Sequence, residues 1–86
     1  MVIIYSTSWC PSCVYAKRLL EGKNVVYQEI NIEEKNISRA DLADIAGAST
    51  VPQIIINDNS IGGFDNLLAL DQSGKLDEML KVWLLN

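Results

Sequence analysis

Residues 2–13, "VIIYSTSWCPSC", place a short apolar run directly before both cysteines of the chain. The run "VIIY" is typical of a buried strand, and Pro11 stands where a helix would begin, since proline costs least at the first helical position. Cys13 and the apolar residues after it recur at helical spacing as far as Gly22. This stretch therefore predicts a strand followed by a helix that opens with the two cysteines.

Three further strands are predicted, over residues 24–32, 52–56 and 60–63, the last two joined by the turn "NDN". With the helices between and after them, the order of elements is β-α-β-α-β-β-α-α. A strand–helix–strand unit implies a parallel pair, and a tight turn implies an antiparallel one. The predicted fold class is thus α/β, with a mixed four-stranded sheet flanked by helices.

The other three helices carry start signals or an apolar face. Ser38 begins the capping-box pattern "SRAD", which predicts a helix over residues 39–46 with Ile37 and Leu42 as its hydrophobic staple. Asp65 can cap the third helix. The fourth helix presents one apolar face, formed by Leu76, Met79, Leu80, Trp83 and Leu84.

The composition excludes several classes of protein. With 86 residues, of which 49% are hydrophobic, the chain suits one small domain over residues 1–86. The net charge of −4 argues against a nucleic-acid partner. A membrane span needs about 20 consecutive apolar residues, and no such run exists in the sequence. Because the start lacks the regions of a secretory signal, we expect a cytoplasmic protein.

The sequence contains no histidine, which narrows the chemistry of the cysteines. A Cys–His nucleophile pair and histidine metal ligands are excluded within one chain. Two cysteines alone cannot close a four-ligand zinc site, so no metal site is predicted. Cys10 and Cys13 must therefore act with each other, with the backbone or with a partner.

Cys10 falls at the N-cap of the first helix. The N–H groups of Ser12 and Cys13 then point toward its sulfur and favour the thiolate, as the helix dipole does. In such sites the pKa of a cysteine falls from about 8.5 to roughly 3.5–7.5. Cys13 faces inward, and its Cα should lie about 5–6 Å from that of Cys10, within disulfide range. The pair fits thiol–disulfide exchange. The alternatives are a structural disulfide, which is disfavoured in a cytoplasmic chain, and two buried free thiols.

Two other segments admit a binding role and a structural one. In "STVPQ", Pro52 suits a strand start or edge, where an extended Val51 could pair with a substrate's main chain. Sequence alone favours a simple strand-initiating proline there. In "GGFDN", the N–H groups of Phe64 and Asp65 could hold a carboxylate, and the Asp65 side chain could hold an ammonium. The alternative is that Asp65 merely caps the helix.

Together these segments resemble the glutaredoxin family, and the resemblance covers nearly the whole chain. "WCPSC", "TVPQIIIND" and "IGGFDNLLALDQSGKLDEML" stand in the family's order and spacing, and the last is particularly close to small bacterial dithiol members. The resemblance implies a thioredoxin-like fold. It also implies a glutathione-dependent thiol–disulfide oxidoreductase that reduces protein disulfides and glutathione mixed disulfides, with Cys10 attacking and Cys13 resolving.

The resemblance further implies where glutathione binds. The Val51–Pro52 bond would be cis, the cysteinyl backbone of glutathione would pair with Val51, and Thr50 would line the same edge. The γ-glutamyl carboxylate would sit on the amides of Phe64 and Asp65, with its amine on the Asp65 side chain. The implied glutathione site consists of Ser12, Thr50, Val51, Pro52, Gly63, Phe64 and Asp65.

Two positions depart from the residues that the family usually carries. Ser12 stands where Tyr is usual, so one wall of the groove is smaller. Thr7 stands three residues before Cys10, where many members carry Lys. That Lys neutralises both the glycyl carboxylate of glutathione and the thiolate, so its loss bears on glutathione affinity and on the Cys10 pKa. Lys17 and Arg39 are the candidates to replace its charge.

The resemblance implies glutathione as the reductant, no tightly bound cofactor, and a monomer whose partners are disulfide-containing or glutathionylated proteins. Two alternatives stay open. The first is a redoxin recharged by thioredoxin reductase that serves ribonucleotide reductase, which the loss of a lysine at Thr7 favours. The second is a dimer that binds a glutathione-ligated 2Fe–2S cluster, a habit that the resemblance places mostly in members without Pro11.

Overall fold

The structure, a computed structural model, describes the backbone of residues 1–84 and the side chains of residues 1–80. Its elements follow the predicted order β-α-β-α-β-β-α-α. They are β1 (Val2–Ser6), α1 (Pro11–Gly22), β2 (Gln28–Asn31), α2 (Arg39–Ala46), β3 (Gln53–Ile56), β4 (Asn59–Gly62), α3 (Phe64–Gln72) and α4 (Lys75–Leu84). Among the residues described, no helix is both long and apolar enough to cross a membrane.

The four strands form one mixed sheet in the order β2-β1-β3-β4. β1 pairs with β2 in parallel and with β3 antiparallel, and β3 pairs with β4 antiparallel. Asn57 and Asp58 both adopt positive φ, 50° and 68°, which suits the tight turn of the β3–β4 hairpin. The predicted mixed four-stranded sheet is confirmed.

Helices cover both faces of the sheet, because alternate residues of each strand point to opposite sides. On one face, Ile4 and Ile54 pack with residues of α1, α3 and α4, among them Leu20. On the other face, Tyr5 packs against Leu42 of α2. The sheet therefore lies between two layers of helices, and the carboxyl end of β1 leads directly into the cysteine pair.

The start of α2 agrees with its sequence signals in detail. The Ser38 hydroxyl accepts from the Asp41 N–H at 3.0 Å, and the Asp41 carboxylate accepts from the Ser38 N–H at 3.2 Å. Gly47 ends the helix with a left-handed φ of 90°. Ile37 and Leu42 belong to the same apolar cluster, as a hydrophobic staple requires. The predicted bounds of this helix are confirmed.

Other boundaries differ from the prediction. Residues 24–27 are not strand, because Asn24 adopts a left-handed φ of 59° and no neighbouring strand pairs with this stretch within the described chain. β3 begins after Pro52, which has no N–H to donate. The capping role predicted for Asp65 is wrong, since Gly63 is the N-cap of α3 and makes no side-chain cap.

The predicted apolar face of the fourth helix agrees with the structure over the residues whose side chains are described, which end at residue 80. Leu76 and Leu80 are buried in the core, and Met79 packs against it. The Trp83 and Leu84 side chains, predicted on the same face, lie outside the described residues.

Candidate active site

Cys10 is the N-cap of α1, with an extended backbone at φ −151°, and Pro11 occupies the first helical turn. The Cys13 N–H donates to the Cys10 sulfur at 3.0 Å. The sequence analysis predicted that the Ser12 N–H would also point toward this sulfur. In the described chain, the hydrogen bond to the sulfur comes from Cys13 alone. The predicted N-cap position of Cys10 is thus confirmed, with one amide directed at the sulfur instead of two.

The two cysteines form a disulfide, and their Cα atoms lie 5.1 Å apart, as the spacing predicted. Their surroundings differ strongly. Cys13 has 1% of its surface exposed, whereas Cys10 is half-buried. Only Cys10 therefore presents sulfur to a large partner, which is the asymmetry expected of an attacking and a resolving thiol.

A groove of about 290 Å³ lies beside the cysteine pair. Its lining brings together all seven residues of the predicted glutathione site and adds one more. The lining residues are Ser12, Thr50, Val51, Pro52, Gly63, Phe64, Asp65 and Asn66. Sequence reasoning quoted Asn66 as part of "GGFDN" but gave it no role. Its side-chain amide donates to the Ile61 carbonyl at 3.2 Å and so holds the loop that forms one wall.

The Val51–Pro52 peptide bond is cis, as the family resemblance implied. β3 is an inner strand that pairs with β1 on one side and with β4 on the other. The prediction of an open edge along this strand is therefore wrong. Val51 lies just before it, and its N–H and C=O find no backbone partner in the described part of the chain. Main-chain pairing with a ligand is therefore available at Val51.

Phe64 and Asp65 open α3 and also line the groove. The first N–H groups of a helix have no partner within the helix, and Gly63 supplies no side-chain oxygen to them. The Asp65 side chain is exposed and accepts no hydrogen bond from the described residues. This corner therefore offers free amide donors next to a free carboxylate.

The two cations proposed to replace the missing lysine lie in different places. The Lys17 ammonium contacts the Glu29 carboxylate at 3.0 Å. Burial opposes ionisation of Glu29, but hydrogen bonds from the Ser6 hydroxyl and Lys17 outweigh it and lower its pKa. The charge of Lys17 is therefore already paired with a carboxylate of its own chain. The Arg39 guanidinium donates to the Ser49 carbonyl at 3.0 Å, one residue before Thr50, which places its charge beside the groove.

Gln53 is a residue that sequence reasoning missed. It has 2% of its surface exposed, and its Nε2 donates to the Thr50 hydroxyl at 3.2 Å. Its Oε1 has no hydrogen-bond partner among the described residues. The available signal was a polar residue in the otherwise apolar strand "QIII". Since the Thr50 oxygen accepts from Gln53, the Thr50 proton is free to donate into the groove.

Metal ligands do not gather at this site or elsewhere in the part of the chain that the structure describes. No three Cys, Asp or Glu side chains lie together there in a way that would hold an ion.

Comparisons with known proteins agree with this architecture. The family model "Glutaredoxin" matches residues 2–61. The chain is 52% identical over 79 residues to a glutaredoxin of Pseudomonas aeruginosa, covering 92% of this chain and 94% of that one. It is 45% identical over 80 residues to glutaredoxin 3 of Escherichia coli, covering 93% and 96%. The crystal structure of a buckwheat glutaredoxin–glutathione complex superposes with a TM-score of 0.84 at 30% identity, over 93% of this chain and 76% of that chain.

The fold is thioredoxin-like, and with the reactive pair at the start of α1 it defines a thiol–disulfide oxidoreductase. Within that class, the chain belongs to the glutaredoxin family, and its relatives include the bacterial type that the sequence indicated.

Proposed function

We propose that the protein reduces protein disulfides and glutathione mixed disulfides with glutathione as its electron donor. The observation that carries the proposal is the groove beside Cys10. The groove lining brings together an unpaired main chain at Val51 with free amides and a free carboxylate at Phe64 and Asp65. Glutathione is a tripeptide that carries a matching backbone, carboxylate and ammonium.

The proposed pose places each part of glutathione on one feature of the groove. Its cysteinyl backbone pairs with Val51, and the Thr50 hydroxyl lines the same edge. Its γ-glutamyl carboxylate accepts from the Phe64 and Asp65 amides, and its ammonium meets the Asp65 carboxylate. Arg39 supplies the charge for the glycyl carboxylate. The glutathione complex of the buckwheat relative supports this use of the fold.

The oxidative half of the reaction follows from the asymmetry of the pair. The Cys10 thiolate attacks one sulfur of the substrate disulfide, a Cys10–substrate disulfide forms, and the first substrate thiolate leaves. The Cys13 thiol then loses its proton and attacks the Cys10 sulfur. The second substrate thiolate leaves, and the departing thiolates take up protons. The substrate gains two electrons, and Cys10 and Cys13 become the disulfide seen in the structure.

Two glutathione molecules return the pair to its reduced state. The first glutathione thiolate attacks Cys10, which forms a Cys10–glutathione disulfide and frees Cys13. The second attacks the sulfur of the bound glutathione, so glutathione disulfide leaves and the Cys10 thiolate is restored. The groove holds the first glutathione for this second attack, because its lining adjoins Cys10 through Ser12.

A coupled assay tests the proposal directly. With glutathione, glutathione reductase and NADPH, we expect turnover of a glutathionylated peptide; with thioredoxin reductase and NADPH alone, we expect none. Turnover only with thioredoxin reductase would contradict the proposal. It would support the second candidate, a redoxin recharged by that reductase, which two observations favour: Thr7 carries no charge, and Lys17 is held by Glu29.

We further propose that the protein works in the cytoplasm as a monomer without a tightly bound cofactor. A 2Fe–2S dimer would leave Cys10 bound to iron, and anaerobic purification with an absorbance spectrum tests for it.

A further inference from the structure

Exposed apolar side chains gather around Cys10. Trp9 has 94% of its surface exposed, Tyr15 53% and Val14 40%. Among the side chains that the structure describes, only three other large hydrophobic residues are comparably exposed. An indole so open to water next to a reactive sulfur points to a partner that covers it, since tryptophan is enriched at the buried centres of interfaces.

Trp9 and Val14 occupy the two positions of a hydrophobic staple, immediately before the N-cap and at the fourth helical residue of α1. In α2 the residues at the same two positions, Ile37 and Leu42, belong to one apolar cluster, and Leu42 is fully buried. In α1 the exposure of Trp9 shows that its staple is open. The open staple leaves an apolar surface that another molecule can complete.

The loop that carries Trp9 is anchored to the end of β2. The Ser8 N–H donates to the Glu33 carboxylate at 3.0 Å, and the Asn31 amide donates to the Ser8 hydroxyl at 3.2 Å. The Asn31 side chain in turn accepts from the Glu33 N–H at 2.9 Å. Trp9 therefore projects from a fixed backbone, so a partner meets an already positioned anchor.

This surface is separate from the proposed glutathione groove but touches its rim. Trp9, Val14 and Tyr15 are absent from the groove lining. The Tyr15 ring lies 5.9 Å from the ring of Phe64, which does line it. A molecule can therefore contact the apolar surface while bonded to Cys10 and leave the groove free.

We propose that the surface formed by Trp9, Val14 and Tyr15 docks the polypeptide that carries the target disulfide. An apolar side chain beside the target cysteine packs against Trp9 and Val14 while Cys10 attacks the target sulfur. The proposal rests on the proposed function only in requiring that Cys10 reduce protein disulfides. It names the feature that would distinguish protein substrates from glutathione, because none of these three residues lines the proposed glutathione groove.

Kinetics on two substrates test the proposal. We expect Trp9→Ser and Val14→Ser to lower kcat/KM for insulin, a protein disulfide, on the order of tenfold each, through lost apolar burial. The same variants should keep kcat/KM for a glutathionylated small thiol within about twofold. Val26→Ser is the matched control, since Val26 is 72% exposed but precedes β2 at the end of the sheet remote from Cys10. It should change neither rate.

Two results would overturn the docking surface: Trp9→Ser with unchanged insulin reduction, or equal losses on both substrates. The outcome is separable from that of the proposed function. If the wild-type protein fails to use glutathione, insulin reduction with dithiothreitol as the electron donor still compares the variants, measured above the uncatalysed rate.

Fluorescence of a trapped complex gives an independent readout. In the Cys13→Ser variant the mixed disulfide at Cys10 persists, and Trp83→Phe leaves Trp9 as the only tryptophan of the chain. We expect a blue shift of Trp9 emission when the trapped partner is a peptide with Leu beside its cysteine. Glutathione or a peptide with Ser there should give none. A peptide complex without the shift, or an equal shift with glutathione, would contradict the proposal.

Discussion

The Cys13 N–H donates to the Cys10 sulfur across 3.0 Å. This bond joins the two residues of the reactive pair through backbone rather than through a third side chain. It follows from the sequence, because an N-cap residue accepts from the third helical N–H and Cys13 is that residue. A chain without histidine can in this way keep one sulfur ready to attack.

The first prediction separates the two cysteines. Cys10→Ser removes the more accessible of the two cysteine sulfurs and should abolish all turnover. Cys13→Ser should keep removal of glutathione from mixed disulfides, which needs one thiol, and lose most reduction of protein disulfides. Steady-state assays on both substrates check this. A Cys10→Ser variant that stays active would show that the roles are assigned wrongly.

Arg39→Gln should raise KM for glutathione about two- to fivefold, because the lost contact is a partly solvated ion pair. It should leave kcat nearly unchanged, since the glycyl carboxylate is bound equally in ground and transition states. Lys75→Gln removes the same charge from a residue that does not line the groove and is the control. Equal KM values for the two variants would remove Arg39 from the site.

Gln53→Leu removes both the donor to Thr50 and a buried oxygen without a partner among the described residues. We expect the free energy of unfolding to change by less than about 1 kcal/mol, since a lost bond is offset by removal of the unpaired group. KM for glutathione should rise, and Thr50→Val should add little in the double variant. If the effects of the two single substitutions on KM simply add in the double variant, Gln53 does not act through Thr50.

The contacts of Glu29 predict a dependence of stability on pH. Its pKa is lowered in the folded protein, so its stabilising contribution is present above the ordinary value of 4.5 and is lost as the pH falls through the lowered value. Urea unfolding of the wild type and Glu29→Gln should therefore differ at pH 7, by less than about 1 kcal/mol, and the difference should shrink as the pH falls below 4.5. A difference that grows with acid would contradict the assigned contacts.

Local signals predicted α2 fully, because Ser38, Asp41 and Gly47 fix its ends through contacts close in sequence. The prediction of strand for the amino-terminal half of the second strand segment was wrong. Val25 and Val26 favour strand locally, but they find no pairing partner in the described chain. Pairing is a tertiary property that propensity does not contain.

The cysteine pair could be interpreted from the residues themselves, whereas the rest of the groove depended on the family resemblance. Residue chemistry left Pro52 and Asp65 open between binding and structural roles. The bonds from Arg39 to Ser49 and from Gln53 to Thr50 needed coordinates, because side-chain direction decides them and the sequence pattern does not.

We expect the Cys13 amide at the start of α1 to lower the pKa of the Cys10 thiol and so to favour its thiolate. Titration of thiolate ultraviolet absorbance in the reduced Cys13→Ser variant, with Cys10→Ser as the blank, measures it most directly. We predict a Cys10 pKa well below the ordinary value of about 8.5 for a free thiol. A pKa at or above the ordinary value of about 8.5 would contradict the account.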